Sequence, residues 1–275
     1  MSSGPAPAPV PRDLVVAGCR LESCRFGSRD RPLRVVLLHE GLGSVAAWRD
    51  FPARLAQLLD EPVMAYSRAG YGQSEAVAAA RDPEFMHHEA RVVLPALLQA
   101  LGIERPILVG HSDGASIALI NAGSLADSAP GAGRGAAALQ PLGIAVMAPH
   151  LFVEQITVDE IAKVAAGFDA SGLAQRLSRY HRDPVASFRS WADVWLSEPF
   201  LQWNIEACAA AIRCPILAIQ GQDDQYGTRL QVDRLARLAP QSKVLMLADC
   251  RHSPHQEQPA AVLSALAEFV ADLPG

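Results

Sequence analysis

The sequence lacks a basic cluster. Its 275 residues carry a net charge of −5 and only 19% are charged. Nucleic acid and anionic membranes both need a positive footprint, so neither is expected as a partner. No apolar run is long and clean enough to span a bilayer. The opening MSSGPAPAPVP has neither a positive start nor an apolar centre, so it does not read as a secretory signal. Its alternating Pro and Ala favour a mobile, extended tail over residues 1–12. The five cysteines (Cys19, Cys24, Cys208, Cys214 and Cys250) are odd in number and lack zinc-finger spacing. Reduced thiols in a cytoplasmic protein are the expectation. The glycine repeats at Gly41/Gly43 and Gly70/Gly72 lack the dinucleotide fingerprint and its ribose-binding acid, so no cofactor is expected. The run His87–Glu89 does not read as a metal site, because adjacent residues on a helix diverge; a solvated helix start is expected instead.

Half of the residues are hydrophobic, and 275 residues suffice for one sizeable core. Short apolar runs alternate with helix-length segments. LRVVLLHE, PVMAYS, PILVGHS, GIAVMAP, PILAIQG and KVLMLAD read as strands, most of them covered on both faces. Between them, AAWRDFPARLAQLL and ARVVLPALLQALG read as helices, the latter closing on Gly102. This alternation predicts an α/β fold, a mostly parallel sheet with helices on both faces and its chemistry beyond the carboxyl ends of the strands. Two regions break the rhythm. Ala122 to Gly143 is rich in Gly, Ala and Pro and reads as a surface loop. From His150 to Ala211 the strand signal vanishes and aromatics gather, among them Trp191, Trp195 and Trp203. The expected organisation is a core over 13–149 and 212–275, with a helical cap over 150–211 whose tryptophans line an apolar pocket.

Within ILVGHSDGASIAL, the segment GHSDG (Gly110–Gly114) fits Gly-x-Ser-x-Gly between a strand and a helix. Glycines leave room for a sharp turn that lifts Ser112 above the sheet, before a helix whose first N–H groups are partly positive. A serine needs a base. ADCRHSPHQEQP, after the last strand, carries His252 in a loop and His255 nearer a helix start. His252 is favoured, and His255 reads as a helix-entry or surface residue. AIQGQDDQYG supplies Asp223 and Asp224, of which one can orient the imidazole. The Gly-rich LLHEGLGS can turn backbone N–H groups toward a reacting carbonyl, and Asp113, next after the serine, supplies another N–H.

In this order the segments resemble the α/β-hydrolase superfamily, in its serine-nucleophile branch of esterases and meta-cleavage-product hydrolases, along the chain after its first dozen residues. LHEGLG resembles the family's loop after the third strand, which implies Gly41 as an oxyanion donor with Leu42 beside it. YSRAGYGQS resembles D-R-x-G-x-G-x-S, GQDD resembles G-x-x-D and implies Asp224, and CRHSPHQEQP resembles G-H-x-P-x-x-E-x-P and implies His252. Glu40, Ser67 and Arg251 depart from the Gly, Asp and Gly usual there. The resemblance implies the α/β-hydrolase fold with the cap inserted after the sixth strand. Its expected chemistry is a cofactor-independent, metal-free serine hydrolase using Ser112, Asp224 and His252 on a small, mostly apolar ester, lactone or thioester. Carbon–carbon bond hydrolysis and a slow-turnover ligand receptor are the alternatives. The expected partner is a small-molecule substrate, and a homodimer is compatible with the aromatic cap.

Overall fold

A computed structural model describes residues 9–77, 81–126 and 140–274. A buried parallel sheet is its centre. The strands are β1 (Val10–Val16), β2 (Cys19–Phe26), β3 (Val35–Leu38), β4 (Val63–Tyr66), β5 (Ile107–His111), β6 (Gly143–Met147), β7 (Ile216–Gly221) and β8 (Ser242–Leu247). Their spatial order is β1-β2-β4-β3-β5-β6-β7-β8. From β4 to β8 every neighbouring pair is parallel, whereas β2 is antiparallel to both β1 and β4. Strand residues alternate between faces, so each side of the sheet has its own core. Val36, Leu38, Leu108, Ile144 and Val146 face one, and Val35, Leu37, Val109, Ala145 and Met147 the other. That two-sided burial explains why these strands carry almost no polar residues.

The helices are α1 (Phe51–Leu59), α2 (Phe85–His88), α3 (Leu94–Ala100), α4 (Asp113–Ala126), α5 (Gln155–Ala166), α6 (Leu173–Leu177), α7 (Pro184–Trp195), α8 (Glu206–Ala211), α9 (Leu230–Leu238), α10 (Pro254–Glu257) and α11 (Pro259–Ala271). A π turn, Glu89–Val93, joins α2 to α3. α1 and α11 cover the face built on Leu37 and Val109, through Phe51, Leu55, Val262 and Leu266. α4 and the α5–α8 insertion between β6 and β7 pack against the other face, through Ile117, Ile120, Phe188, Trp195 and Ile205. No helix of the described residues is long and apolar enough to cross a membrane.

Two expectations need correction. β1 starts at Val10, inside the stretch read as tail, and pairs along its length with β2 from Val10↔Arg25 to Val16↔Cys19. It is an exposed edge strand, so it lacks the apolar pattern of its buried neighbours, and an edge tolerates Pro11. The segment read as a loop from Ala122 begins as the last turn of α4, which runs to Ala126, while residues 127–139 lie outside the described part. The segment 150–211 is helical apart from connecting turns and one isolated bridge, Phe152↔Asn204.

α4 starts hard against the sheet. A Cβ at Gly114 would lie 2.0 Å from the Leu38 carbonyl oxygen, and one at Gly110 would lie 2.3 Å from the Gly114 oxygen. Both obstacles are backbone and cannot rotate away. Gly114→Ala should therefore lower stability by about 2–3 kcal/mol, read from urea unfolding midpoints. Gly167→Ala, where nothing lies nearer than 3.5 Å, should stay within about 0.5 kcal/mol of wild type.

Candidate active site

Ser112 lies between β5 and α4 with φ 53°, a left-handed conformation that an L-residue adopts only under constraint. Its N–H donates to Met147 O (2.9 Å), and its carbonyl accepts from Ser116 N (3.0 Å), so the turn is pinned on both sides. His252 reaches it from the loop after β8. Glu257 accepts from the N–H groups of Arg251 and Ser253, which flank His252, at 2.9 and 3.0 Å. His111 Nε2 donates to the His252 carbonyl at 2.7 Å. With its backbone held, His252 places Nε2 3.0 Å from Ser112 Oγ, and its Nδ1 faces Asp224 Oδ1 and Oδ2 at 2.8 and 2.9 Å.

Asp224 follows β7 and accepts from Gln220 Nε2 (2.7 Å) and from the N–H groups of Tyr226 (2.8 Å) and Gly227 (3.3 Å). Burial raises its pKa, but the charge and hydrogen bond of His252, the Tyr226 N–H and His150 outweigh burial and hold it below the usual value. An ionised carboxylate at Nδ1 fixes the tautomer that leaves Nε2 free to take a proton. Asp223 is exposed, and its N–H donates to Cys250 O. A hydroxyl on an imidazole oriented in this way can lose its proton while attacking a carbonyl carbon.

A cavity of about 110 Å³ opens over Ser112, lined by Gly41, Leu42, Asp113, Trp191, Trp195 and His150 among others. Trp191 lies so close to the loop after β3 that a Cβ at Gly41 would sit 2.1 Å from its indole nitrogen. Trp203 is not among the described lining residues; it packs behind, on Phe200 (5.4 Å) and Trp195 (6.3 Å). A larger cavity of about 590 Å³, between the β1–β2 turn and α2, shares no lining residue with this one. His255 stands at the start of a helix as expected but is buried, its ring 4.8 Å from both Trp48 and His111. Burial first, then the neighbouring His111, push it down to about 3. The solvated helix start at His87–Glu89 is also corrected: Glu89 is buried, because the π turn that begins there carries its side chain inward. No cluster of three or more potential metal ligands occurs among the described residues.

Several site residues carry no spacing signal, because their partners are distant in sequence. Glu40 lines the cavity, with Oε2 3.5 Å from the buried His111 Nδ1. Burial opposes both charges, yet each favours the charged form of the other: Glu40 lies well below its usual range and His111 above its own. His150, in the cavity wall, is driven down to about 3 by burial and then by His252, and is neutral near pH 7. Ser67, where the family pattern has Asp, donates to Glu22 Oε2 (2.7 Å) and accepts from Val45 N (2.9 Å). A carboxylate from β2 thus reaches the place through a serine. Asp113, expected to offer a backbone N–H, also has its carboxyl group buried beside Arg68 (3.8 Å), accepting from Trp195 Nε1 (3.3 Å).

The profile of the alpha/beta hydrolase family matches residues 35–265. The chain belongs to that family. A Pseudomonas savastanoi pv. phaseolicola protein named carbamate hydrolase RutD is 25% identical, covering 88% of this chain and 94% of its own length. The 2-succinyl-6-hydroxy-2,4-cyclohexadiene-1-carboxylate synthase of Serratia proteamaculans is 26% identical, covering 90% and 96%. The enol-lactonase of Burkholderia xenovorans LB400 shares the fold with a TM-score of 0.72 at 19% identity, over 95% of this chain and all of the other.

The Glu40–His111 pair makes a pH prediction. In Glu40→Gln the His111 imidazole should titrate at lower pH than in wild type, followed by NMR. A raised histidine stabilises below its unfolded pKa and loses that as pH rises through its folded value; a lowered carboxylate loses its contribution as pH falls. The wild-type advantage in urea midpoint should therefore be largest at mildly acidic pH and shrink on either side.

Proposed function

We propose that this hydrolase-family chain is a cofactor-independent serine hydrolase that cleaves a small, mostly apolar ester, lactone or thioester through an acyl-enzyme. The unbroken series of hydrogen bonds from Asp224 through His252 to Ser112 supports this reading most directly. Ser112 Oγ attacks the carbonyl carbon while His252 Nε2 takes its proton. The negative charge developing on the carbonyl oxygen is met by the N–H groups of Asp113 and Gly41, with Leu42 beside them. The intermediate collapses, His252 returns the proton to the leaving oxygen or sulfur, and the leaving group departs. Water then attacks the acyl carbon, giving a proton to His252; expulsion of Ser112 Oγ, which takes that proton back, releases the acid.

The α5–α8 insertion serves as the cap, and Trp191 and Trp195 form the acyl wall. A cavity of about 110 Å³ favours short acyl groups, and its apolar indole walls favour uncharged ones.

Wild-type protein should turn over short p-nitrophenyl esters many times and be labelled at Ser112 by a phosphonate, read by peptide mass spectrometry. Ser112→Ala should lose roughly 10⁴-fold or more in kcat with its thermal unfolding unchanged. Asp224→Asn should be severely impaired and Asp223→Asn close to wild type. Full activity in a folded Ser112→Ala variant would sink the mechanism. Labelling by the phosphonate together with very slow hydrolysis of every ester would favour the receptor reading.

A further inference from the structure

Arg68 is among the most deeply buried side chains of the molecule, 1% exposed, and neither touches the three hydrogen-bonded residues nor lines the cavity. Its guanidinium lies over the Tyr71 ring at 5.2 Å, and its side-chain polar contacts converge on the two segments that carry the N–H groups around Ser112. One guanidinium nitrogen donates to His39 O at 2.5 Å, and another to Glu40 O at 2.9 Å. The latter also lies 3.8 Å from Asp113 Oδ2, and Asp113 is itself 1% exposed. Arg68 N–H donates to His39 Nε2 (3.0 Å), which leaves the proton of that neutral ring on Nδ1, where it donates to Glu40 O at 2.7 Å. Gly43 N–H is the third donor to the same oxygen, at 3.1 Å.

A trans peptide is planar, with C=O and N–H on opposite sides. Three donors that hold Glu40 O therefore hold the Gly41 N–H facing the other way. The same nitrogen faces Asp113 Oδ2, and Trp195 Nε1 donates to Asp113 Oδ1 where α4 begins. One buried cation thus joins the loop after β3 to the turn after β5.

We propose that Arg68 is a positioning residue for the oxyanion site: it sets the Glu40–Gly41 peptide plane and the seat of Asp113 so that the two N–H groups converge on one oxygen. This rests on the serine hydrolase reading above. Arg68 acts through backbone it does not share, so its loss should be felt where charge develops and not where substrate first binds.

The test compares wild type with Arg68→Lys, which keeps the charge but not the two-pronged fork, and with the near-isosteric Asp113→Asn. The readouts are kcat and KM for a short p-nitrophenyl ester, inhibition by the matching trifluoromethyl ketone, and inhibition by the matching amide. The ketone adds to a serine as a tetrahedral oxyanion, whereas the amide binds as a ground state. Arg68→Lys should lose roughly 10²–10³-fold in kcat and lose ketone affinity in parallel, the scale of a missing oxyanion donor. KM and amide affinity should stay within about 3-fold, and Asp113→Asn should show the same split more weakly. If Arg68→Lys fails to fold, Arg68→Ala with added guanidinium replaces it, and kcat restored by guanidinium is the expected result. Kinetics and ketone affinity like wild type, equal losses in ketone and amide binding, or no restoration by guanidinium would overturn the positioning role. A wild type that neither hydrolyses the esters nor takes the ketone would overturn the hydrolase reading itself, and this inference with it.

Discussion

The contact on which the site depends is the one between α4 and β3 at Gly114. With no Cβ there, the first turn of the helix rests against the Leu38 carbonyl, and β5 can run into α4 with Ser112 alone at the corner. The corner must bend through a positive φ, and the hydrogen bonds to Met147 and Ser116 hold it there. Strain of this kind persists only where the surroundings over-determine the conformation. Here they do: β5 is flanked by β3 and β6, and both faces of the sheet are packed. The same closeness brings the loop after β3 beside the start of α4, which is why Gly41, Leu42 and Asp113 border one small cavity.

Around that cavity the fold buries several ionisable groups, and their surroundings decide which are charged. Asp224 is ionised because His252 and two N–H groups face it. Glu40 and His111 sustain each other behind the loop. For His150, His255 and His39 burial outweighs the pull of the nearby Asp224 or Glu40 carboxylate and keeps them neutral. Neutral imidazoles can then serve as hydrogen-bonding wedges: His39 braces Glu40 O, and His181 Nε2 donates to Leu42 O at 2.8 Å while its Nδ1 accepts from Gly72 N at 3.0 Å. The His181 bonds tie the α5–α8 insertion to the loop after β3, so the cavity wall and the loop beneath it share one scaffold.

How much of this was legible in the sequence follows from range. The parallel strands were readable because two-sided burial leaves an apolar run, and β1 was missed because an edge strand needs none. Ser112, Asp224 and His252 were readable because each sits in a turn whose neighbours are dictated locally: glycines at 110 and 114, the short acid loop after β7, and Glu257 five residues beyond the histidine. The tryptophans were assigned as a group, but a helical aromatic pattern does not say which face looks inward; Trp191 and Trp195 face the cavity, and Trp203 supports them from behind. Arg68 and Glu40 fall within quoted motifs, but their roles, like those of His111 and His150, were not readable because their partners lie far away in sequence.

The departures from the family pattern are better understood as exchanges than as losses. Ser67 lacks a carboxylate, and Glu22 on the adjacent strand supplies one to the same hydroxyl and to Gln73 N at 2.9 Å. Glu40 brings a charge where glycine is usual, and His111 in the next strand balances it, while Gly43 leaves the space that its carboxylate occupies. Arg251 replaces a glycine at an exposed position, where its side chain costs nothing and its N–H still meets Glu257. In the first two cases the group that completes the loop's contacts comes from a neighbouring strand. Glu22 and His111 thus bring from β2 and β5 contacts that hold the loops bordering the cavity.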